Sequence, residues 1–241
     1  MSFKEFVAKD LDVKSAYHLL ISGISPRPIA LVGSIDKKNN SNLAPFSFFN
    51  AFGANPPIVG FSPALSGRTG LPKDTLLNIQ ETQEFTISIV NSSMVEQISL
   101  SSCEFDKNVD EFDKAGFEKF KSKMIKPYAV SESNFIMECR LYDIIALGNK
   151  PASGNLILGE VLQFHINDSI LTETNQVDPY KLDPIARNGG SWYTEAKKGL
   201  FELKKPNNMG IGFDALPEEI RRSKYFSGNQ LARLASVEKI P

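Results

Sequence analysis

The stretch from Ser25 to Ile79 breaks into short apolar runs that proline, asparagine and serine keep interrupting. Pro26 and Pro28 forbid a helix and hold Arg27 extended between them. Residues 29–34 read as a short strand, 36–41 as a polar turn, and 43–50 as the strand that returns. Pro45 lies inside that second strand, which predicts an edge or a bulge there. Pro56 and Pro57 end the next loop, and residues 58–62 read as a further buried strand. A chain cut this finely lacks the strand–helix–strand rhythm of a parallel sheet.

The remainder follows the same pattern. Residues 85–90 alternate as a strand, and 135–147 and 156–166 are the longest strand candidates. Helical spacing predicts helices over 14–22, with Gly23 as the residue that ends it, over 74–81, over 93–101, and over 109–114 before Gly116. Two late helices are expected near 217–223 and 227–234, the second capped by Ser227. No repeat, low-complexity tract or linker stands out. The expected architecture is one domain over residues 1–241, mainly β with helices. It is an antiparallel, Greek-key-like barrel with helical additions, the last being a C-terminal extension over about 214–241.

Composition narrows the function. Lys and Arg number 27 against 28 Asp and Glu, for a net charge of -1. A nucleic-acid surface would show a basic excess, so no nucleic-acid partner is expected. No apolar run approaches the ~20 residues of a membrane helix, so no membrane partner is expected. Met1–Asp10 has no signal-peptide core. The two cysteines, Cys103 and Cys139, cannot build a disulfide framework. Both read as buried packing residues in a reduced, cytoplasmic protein. No metal-ligand spacing, dinucleotide-binding glycine motif, P-loop or nucleophile elbow is present, so neither a metal site nor a catalytic side chain is assigned.

The residue types in the first third suit a flat ring carrying a phosphate tail. Arg68, Thr69, Lys73 and Thr75 fall within one short loop. The amides of Asp74 and Thr75 would open a helix, where the dipole favours an anion. The other reading of this loop is a solvated turn with Asp74 as the cap. Ser47, Phe48, Phe49 and Asn50 offer a hydroxyl, two ring faces and an amide. On a strand, Ser47 and Phe49 face one side and Phe48 and Asn50 the other, so at least one phenylalanine should join the core. Far along the chain, Arg187, Gly189, Gly190, Trp192 and Tyr193 make a glycine-rich turn. It either lets backbone approach a ligand or merely reverses the chain. His18 reads as structural. His165 ends a long strand, where it either meets a nicotinamide or substrate or packs in the barrel.

The order of several segments resembles the flavin reductase-like proteins. They are Ser25–Val32, Asn42–Asn50, Asn55–Ser62, Lys73–Ile79, Glu111-Phe112, Glu138–Arg140, Gly159–Val161, Arg187–Tyr193 and Asp214–Glu218. The resemblance covers most of the chain. It implies an FMN-binding split β-barrel and an oxidoreductase working at the flavin. Cofactor contacts would come from Ser47, Phe48, Phe49, Asn50, Ser62, Arg68, Thr69, Lys73, Asp74, Thr75, Arg187, Gly189, Gly190 and Tyr193. It further implies a homodimer, in which the 187–193 turn can close the site from the partner subunit. NAD(P)H or a redox protein would be the electron donor. Reductases of this family that use NAD(P)H commonly carry a late His-Gly motif. Here that region reads Lys150-Pro151-Ala152-Ser153-Gly154-Asn155, which is closer to the flavoredoxin and flavoprotein oxygenase-like branch. A flavin-binding electron carrier without turnover, or a split barrel for haem or another cofactor, remain the alternative readings.

Overall fold

The structure is a computed structural model that describes residues 1–106, 109–203 and 210–237. Two compact units are present, Met1–Leu200 and Phe201–Pro241.

The strands of the first unit are β1 (Arg27–Pro28), β2 (Ala30–Ile35), β3 (Ser41–Phe46), β4 (Phe49–Ala54), β5 (Pro57–Phe61), β6 (Glu84–Ile89), β7 (Lys119–Phe120), β8 (Ala129–Val130), β9 (Phe135–Ala146), β10 (Asn155–Ile166), β11 (Ile185–Arg187) and β12 (Tyr193–Glu195). Its α-helices are α1 (Val13–Gly23), α2 (Asp74–Thr82), α3 (Val95–Ser101), α4 (Glu111–Ala115) and α5 (Pro179–Leu182). Seven strands form one sheet in the order β3-β2-β6-β9-β10-β5-β4, with every neighbour antiparallel. Strands β1, β11 and β12 form a small sheet, and β7 pairs with β8.

The outer strands β3 and β4 are consecutive in the chain and are joined only by Ser47 and Phe48. Three Cα–Cα steps reach at most about 11 Å, so the two edges of the sheet must meet where β3 ends and β4 begins. The sheet therefore curls into a barrel with a seam between β3 and β4. Beside the seam the Ser62 amide extends the β4–β5 ladder by donating to the Phe48 carbonyl at 2.9 Å, and the Phe46 ring at the end of β3 sits 5.1 Å from the Phe61 ring of β5. The expected single strand over 43–50 is thus two strands, broken at Ser47. Pro45 lies on the edge strand β3, where its missing N–H interrupts no inner ladder.

The barrel interior holds Val32, Val59, Phe61, Phe85, Ile87, Met137, Cys139, Ile157 and Val161, closed at one end by Leu76 and Ile79 of α2. Each large side chain so buried contributes about 1.5–3 kcal/mol. Gly159 faces the buried Phe85 ring at a register shift between β9 and β10. A Cβ there would lie 2.3 Å from Phe85 Cζ. A second cluster outside the barrel wall packs Leu31 and Leu43 against Met94, Ile98 and Phe112 of the α3–α4 region. Helix α1 runs through Gly23 before it ends at Ile24, capped at its start by Asp12. Helix α4 ends as expected, with Gly116 left-handed at φ 70.

In the second unit, α6 (Glu218–Arg221) precedes α7 (Gly228–Ala235). Ser227 and Gln230 form the reciprocal cap of α7, and Leu216, Leu231 and Ala235 make a small core. Residues 238–241 of the expected extension lie outside the described residues. No helix among the described residues is long and apolar enough to cross a membrane.

Candidate flavin site

A cleft of about 550 Å³ opens beside β3. Its walls are Asn42–Phe46, the loop Ser66–Thr75, the segment Ser101–Phe105 and Glu111. It is large enough for a planar cofactor with a tail, and its lining mixes apolar walls with a few convergent polar groups.

The floor is built from β3. Leu43 N donates to Glu111 Oε2 at 3.1 Å, away from β2. Alternation along a strand gives Pro45 the same outward parity. The edge therefore presents the Leu43 and Pro45 carbonyls toward the cleft. Glu111 is partly buried, and that burial raises its carboxyl pKa against the hydrogen bond from Leu43.

The loop folds on its own bonds. The Gly70 amide donates to the Ser66 carbonyl at 2.8 Å, with Gly70 left-handed at φ 70. Thr69 Oγ1 accepts from the Leu71 amide at 3.3 Å. The cap of α2 is Lys73, not Asp74, and no side chain caps the helix. Its first amides are left for an anion. Thr75 is buried, and its Oγ1 accepts from Asn42 Nδ2 at 2.9 Å, which ties the helix start to β3. Asn42 also reaches Ser34 Oγ at 3.2 Å, as does Asn78.

Arg68 and Lys73 both engage Glu104. Lys73 Nζ lies 3.1 Å from Glu104 Oε1, and Arg68 Nη2 bonds Glu104 Oε2. The hydrogen bond from Lys73, with the two nearby positive charges, holds the Glu104 carboxyl below its usual pKa. Cys103 is exposed beside it, unlike the buried Cys139, so the expectation of two buried thiols holds only for Cys139.

The other candidate residues lie elsewhere. Ser47, Phe48, Phe49 and Asn50 line a separate hollow with Leu20, Ile24, Arg27 and Pro28. Phe49 packs against the barrel core, while Phe48 is 38% exposed and contacts the Tyr17 ring at 6.5 Å. Ser62 sits at the end of β5 against Gly154. Arg187 stacks on Tyr193 at 4.4 Å between β11 and β12. Gly189 packs on Ser22 and Gly190 is left-handed at φ 60. None of these lines the cleft of Arg68 and Lys73 within the same chain.

Arg27 organises this second region. It is 5% exposed and donates to the carbonyls of Ile21 at 2.5 Å, Ile24 at 2.6 Å and Asn188 at 3.2 Å. Its Nε approaches Ser47 Oγ at 3.4 Å. His165 Nε2 meets Glu138 Oε1 at 2.6 Å and its ring packs edge-on against Phe120. It serves the barrel wall and does not line the cleft.

The 68–75 loop, singled out in the sequence by its cations, lines the cleft, and Glu104 faces it without any signal in the sequence. Glu104 stands in Ser102-Cys103-Glu104-Phe105, a run with no motif and no periodicity. Asn42 and Glu111 were visible only as parts of the family resemblance, with no role attached.

Comparison with known proteins identifies the family. The flavin reductase like domain matches residues 22–181. An uncharacterized protein of Aquifex aeolicus is 35% identical over 80% of this chain and 95% of its own. The crystal structure of nitrilotriacetate monooxygenase component B from Bacillus cereus superposes with a TM-score of 0.77 and 30% identity, covering 85% of this chain and 98% of that one. A 2-nitrobenzoate 2-nitroreductase from Pseudomonas fluorescens gives 0.76 at 26% identity, over 85% and 97%. This chain belongs to the flavin reductase-like family and is a flavin-binding split barrel.

Proposed function

We propose that the protein is an FMN-dependent oxidoreductase and that the cleft beside β3 is its flavin site. One observation carries the choice of FMN. Arg68 and Lys73 converge on a single carboxylate at the mouth of the cleft. Two cations that gather around one oxyanion form an anion site, and a terminal phosphate suits it better than a neutral alcohol. The uncapped start of α2 adds backbone donors at the same place.

A flavin held there would supply the redox chemistry, with a hydride equivalent coming from a donor and two electrons going to an acceptor. The chain's own work is placement. Arg68, Lys73 and the amides of Asp74 and Thr75 hold the phosphate. Asn42 fixes Thr75 and so keeps the helix start in register with β3. The outward carbonyls of Leu43 and Pro45 give acceptors for the donor groups on the ring edge. No side chain need act as an acid or base, which fits a cleft without histidine.

The working unit we infer is a homodimer. Val13, Tyr17 and Leu20 of α1 and Ile24 just past its end are exposed apolar side chains, with Phe48 beside them and Trp192 78% exposed. The Arg187–Tyr193 turn lies away from its own chain's cleft, so it would serve a flavin only across a two-fold axis. The setting that fits two free thiols, one of them exposed, is the reducing cytoplasm.

NAD(P)H is the proposed reductant. A monooxygenase component, as the name of the Bacillus cereus relative indicates, or a nitroaromatic acceptor, as the Pseudomonas enzyme's name indicates, would take the electrons. An electron carrier fed by a redox protein is the second reading. It is favoured by the absence of histidine from Lys150–Asn155 and by the engagement of His165 with Glu138. Binding of FMN, FAD and riboflavin to the purified protein, followed by anaerobic addition of NADH or NADPH, separates these readings. Equal affinity for FMN and riboflavin would refute the phosphate site. Sedimentation at twice the chain mass would support the dimer, and a monomer with full flavin occupancy would refute it.

A further inference from the structure

We infer that Glu104 is an internal anion that occupies the phosphate site and must be displaced when the flavin binds. The inference rests on the cleft beside β3 being the FMN site. Both cations assigned to the phosphate are engaged by the two oxygens of this one carboxylate, one oxygen each. Arg68 and Lys73 together carry two positive charges, and Glu104 cancels one of them. A phosphate monoester carries close to two negative charges at neutral pH. It cannot share the two cations with a carboxylate at bonding distance without like-charge repulsion.

The segment that bears Glu104 is suited to moving aside. It follows the end of α3 at Ser101, and its side chain is about half exposed. Water can therefore take over the carboxylate when it leaves. The pairs that break are exposed ones, individually weak. The result is a site that is never left with two bare cations, and one that discriminates by charge. A dianionic tail displaces Glu104, whereas the hydroxyl of riboflavin leaves it in place. This sets the affinity for FMN below what the cation pair alone would give and favours exchange of the cofactor over permanent retention.

The test is the variant Glu104→Gln, with dissociation constants for FMN and riboflavin measured by flavin fluorescence on the full chain. FMN binding should tighten about three- to tenfold, the size expected from two exposed ion pairs. Riboflavin binding should not change, and the FMN dissociation rate should fall. Unchanged or weaker FMN binding in the variant, with wild-type protein still preferring FMN to riboflavin, would overturn the role of Glu104 while sparing the phosphate site. Wild-type protein that binds both flavins equally would overturn the phosphate site and this inference together. Tightening of both flavins alike would mean that Glu104 acts on cleft shape, and would overturn the inference as well.

Discussion

Arg27 reaches across the chain to Asn188, 161 residues away, and donates to its carbonyl at 3.2 Å. The same guanidinium holds the last turn of α1 through Ile21 and Ile24. Three carbonyls in one planar fork are a geometry that lysine cannot copy. Arg27→Met should destabilise the protein by about 3 kcal/mol, since the carbonyls at its site lose their donor. Arg27→Lys should recover less than half of that. Denaturant unfolding measures the loss, and hydrogen exchange should show it first in residues 186–193. Uniform exchange across the barrel would contradict this assignment.

Gly159 is fixed by Phe85. With a Cβ placed 2.3 Å from Phe85 Cζ, Gly159→Ala overpacks a fully buried ring. The expected cost is about 1–3 kcal/mol. Adding Phe85→Leu to Gly159→Ala should return part of the loss, because the clash is with the end of the ring. A double variant no better than the sum of the two single changes would point to backbone strain instead.

Charge removal at the loop should act on the phosphate alone. Lys73→Ala or Arg68→Ala should weaken FMN by about 1–2 kcal/mol, a charge-assisted bond discounted for its exposure. Riboflavin affinity should stay within error. Parallel losses for both flavins would assign these residues to folding.

Glu138 makes the barrel acid-labile. It is fully buried. Burial alone would raise its pKa, but the amides of Lys123 and Met124, each at 2.7 Å, and His165 outweigh that and lower it below 4.5. A lowered folded pKa means the unfolded state takes up the proton first. The stabilisation is complete well above 4.5 and is lost as pH falls through the folded value. Glu138→Gln should be less stable at neutral pH by about 2 kcal/mol. Its stability should also fall less steeply below pH 4.5. Parallel pH profiles for the two proteins would disprove the assignment.

His165 belongs to that buried pair and not to the cleft. His165→Ala should therefore leave the rate of flavin bleaching by NADH or NADPH unchanged in stopped flow, while lowering the melting temperature. A bleaching rate that collapses with the thermal stability intact would give His165 a role toward the nicotinamide.

Much of this was legible in the sequence, and the exceptions share a cause. Alternation announced β6, and the length of the apolar runs announced β9 and β10. Pro26 and Pro28 announced the extended Arg27, and Ser227 announced the cap of α7. These are local signals, written within a few residues. The break at Ser47 was hidden because Leu43–Asn50 reads as one apolar run, and only closure of the barrel requires it to turn. The short pairs β7–β8 and β11–β12 carry too few residues to show a period. In the site, the cations of the 68–75 loop were readable because they cluster. Glu104 lies 31 residues beyond Lys73 and meets it only in space. Likewise, Ser47–Asn50 looked like part of the same site because it is close in sequence, yet β3 carries the chain round to a different hollow.

The seam at Ser47 and Phe48 is a clasp made of covalent bonds. Most barrels close by a last row of hydrogen bonds, so widening one means unzipping a ladder. Here the first and last staves of the barrel are held by two torsionally adjustable residues. An insertion at this point would let the two edge strands move apart without breaking a strand ladder. The cleft beside β3 lies along one stave and the Arg27 hollow beside the clasp, so a change at Ser47 or Phe48 acts on the hollow directly and reaches the cleft only through β3.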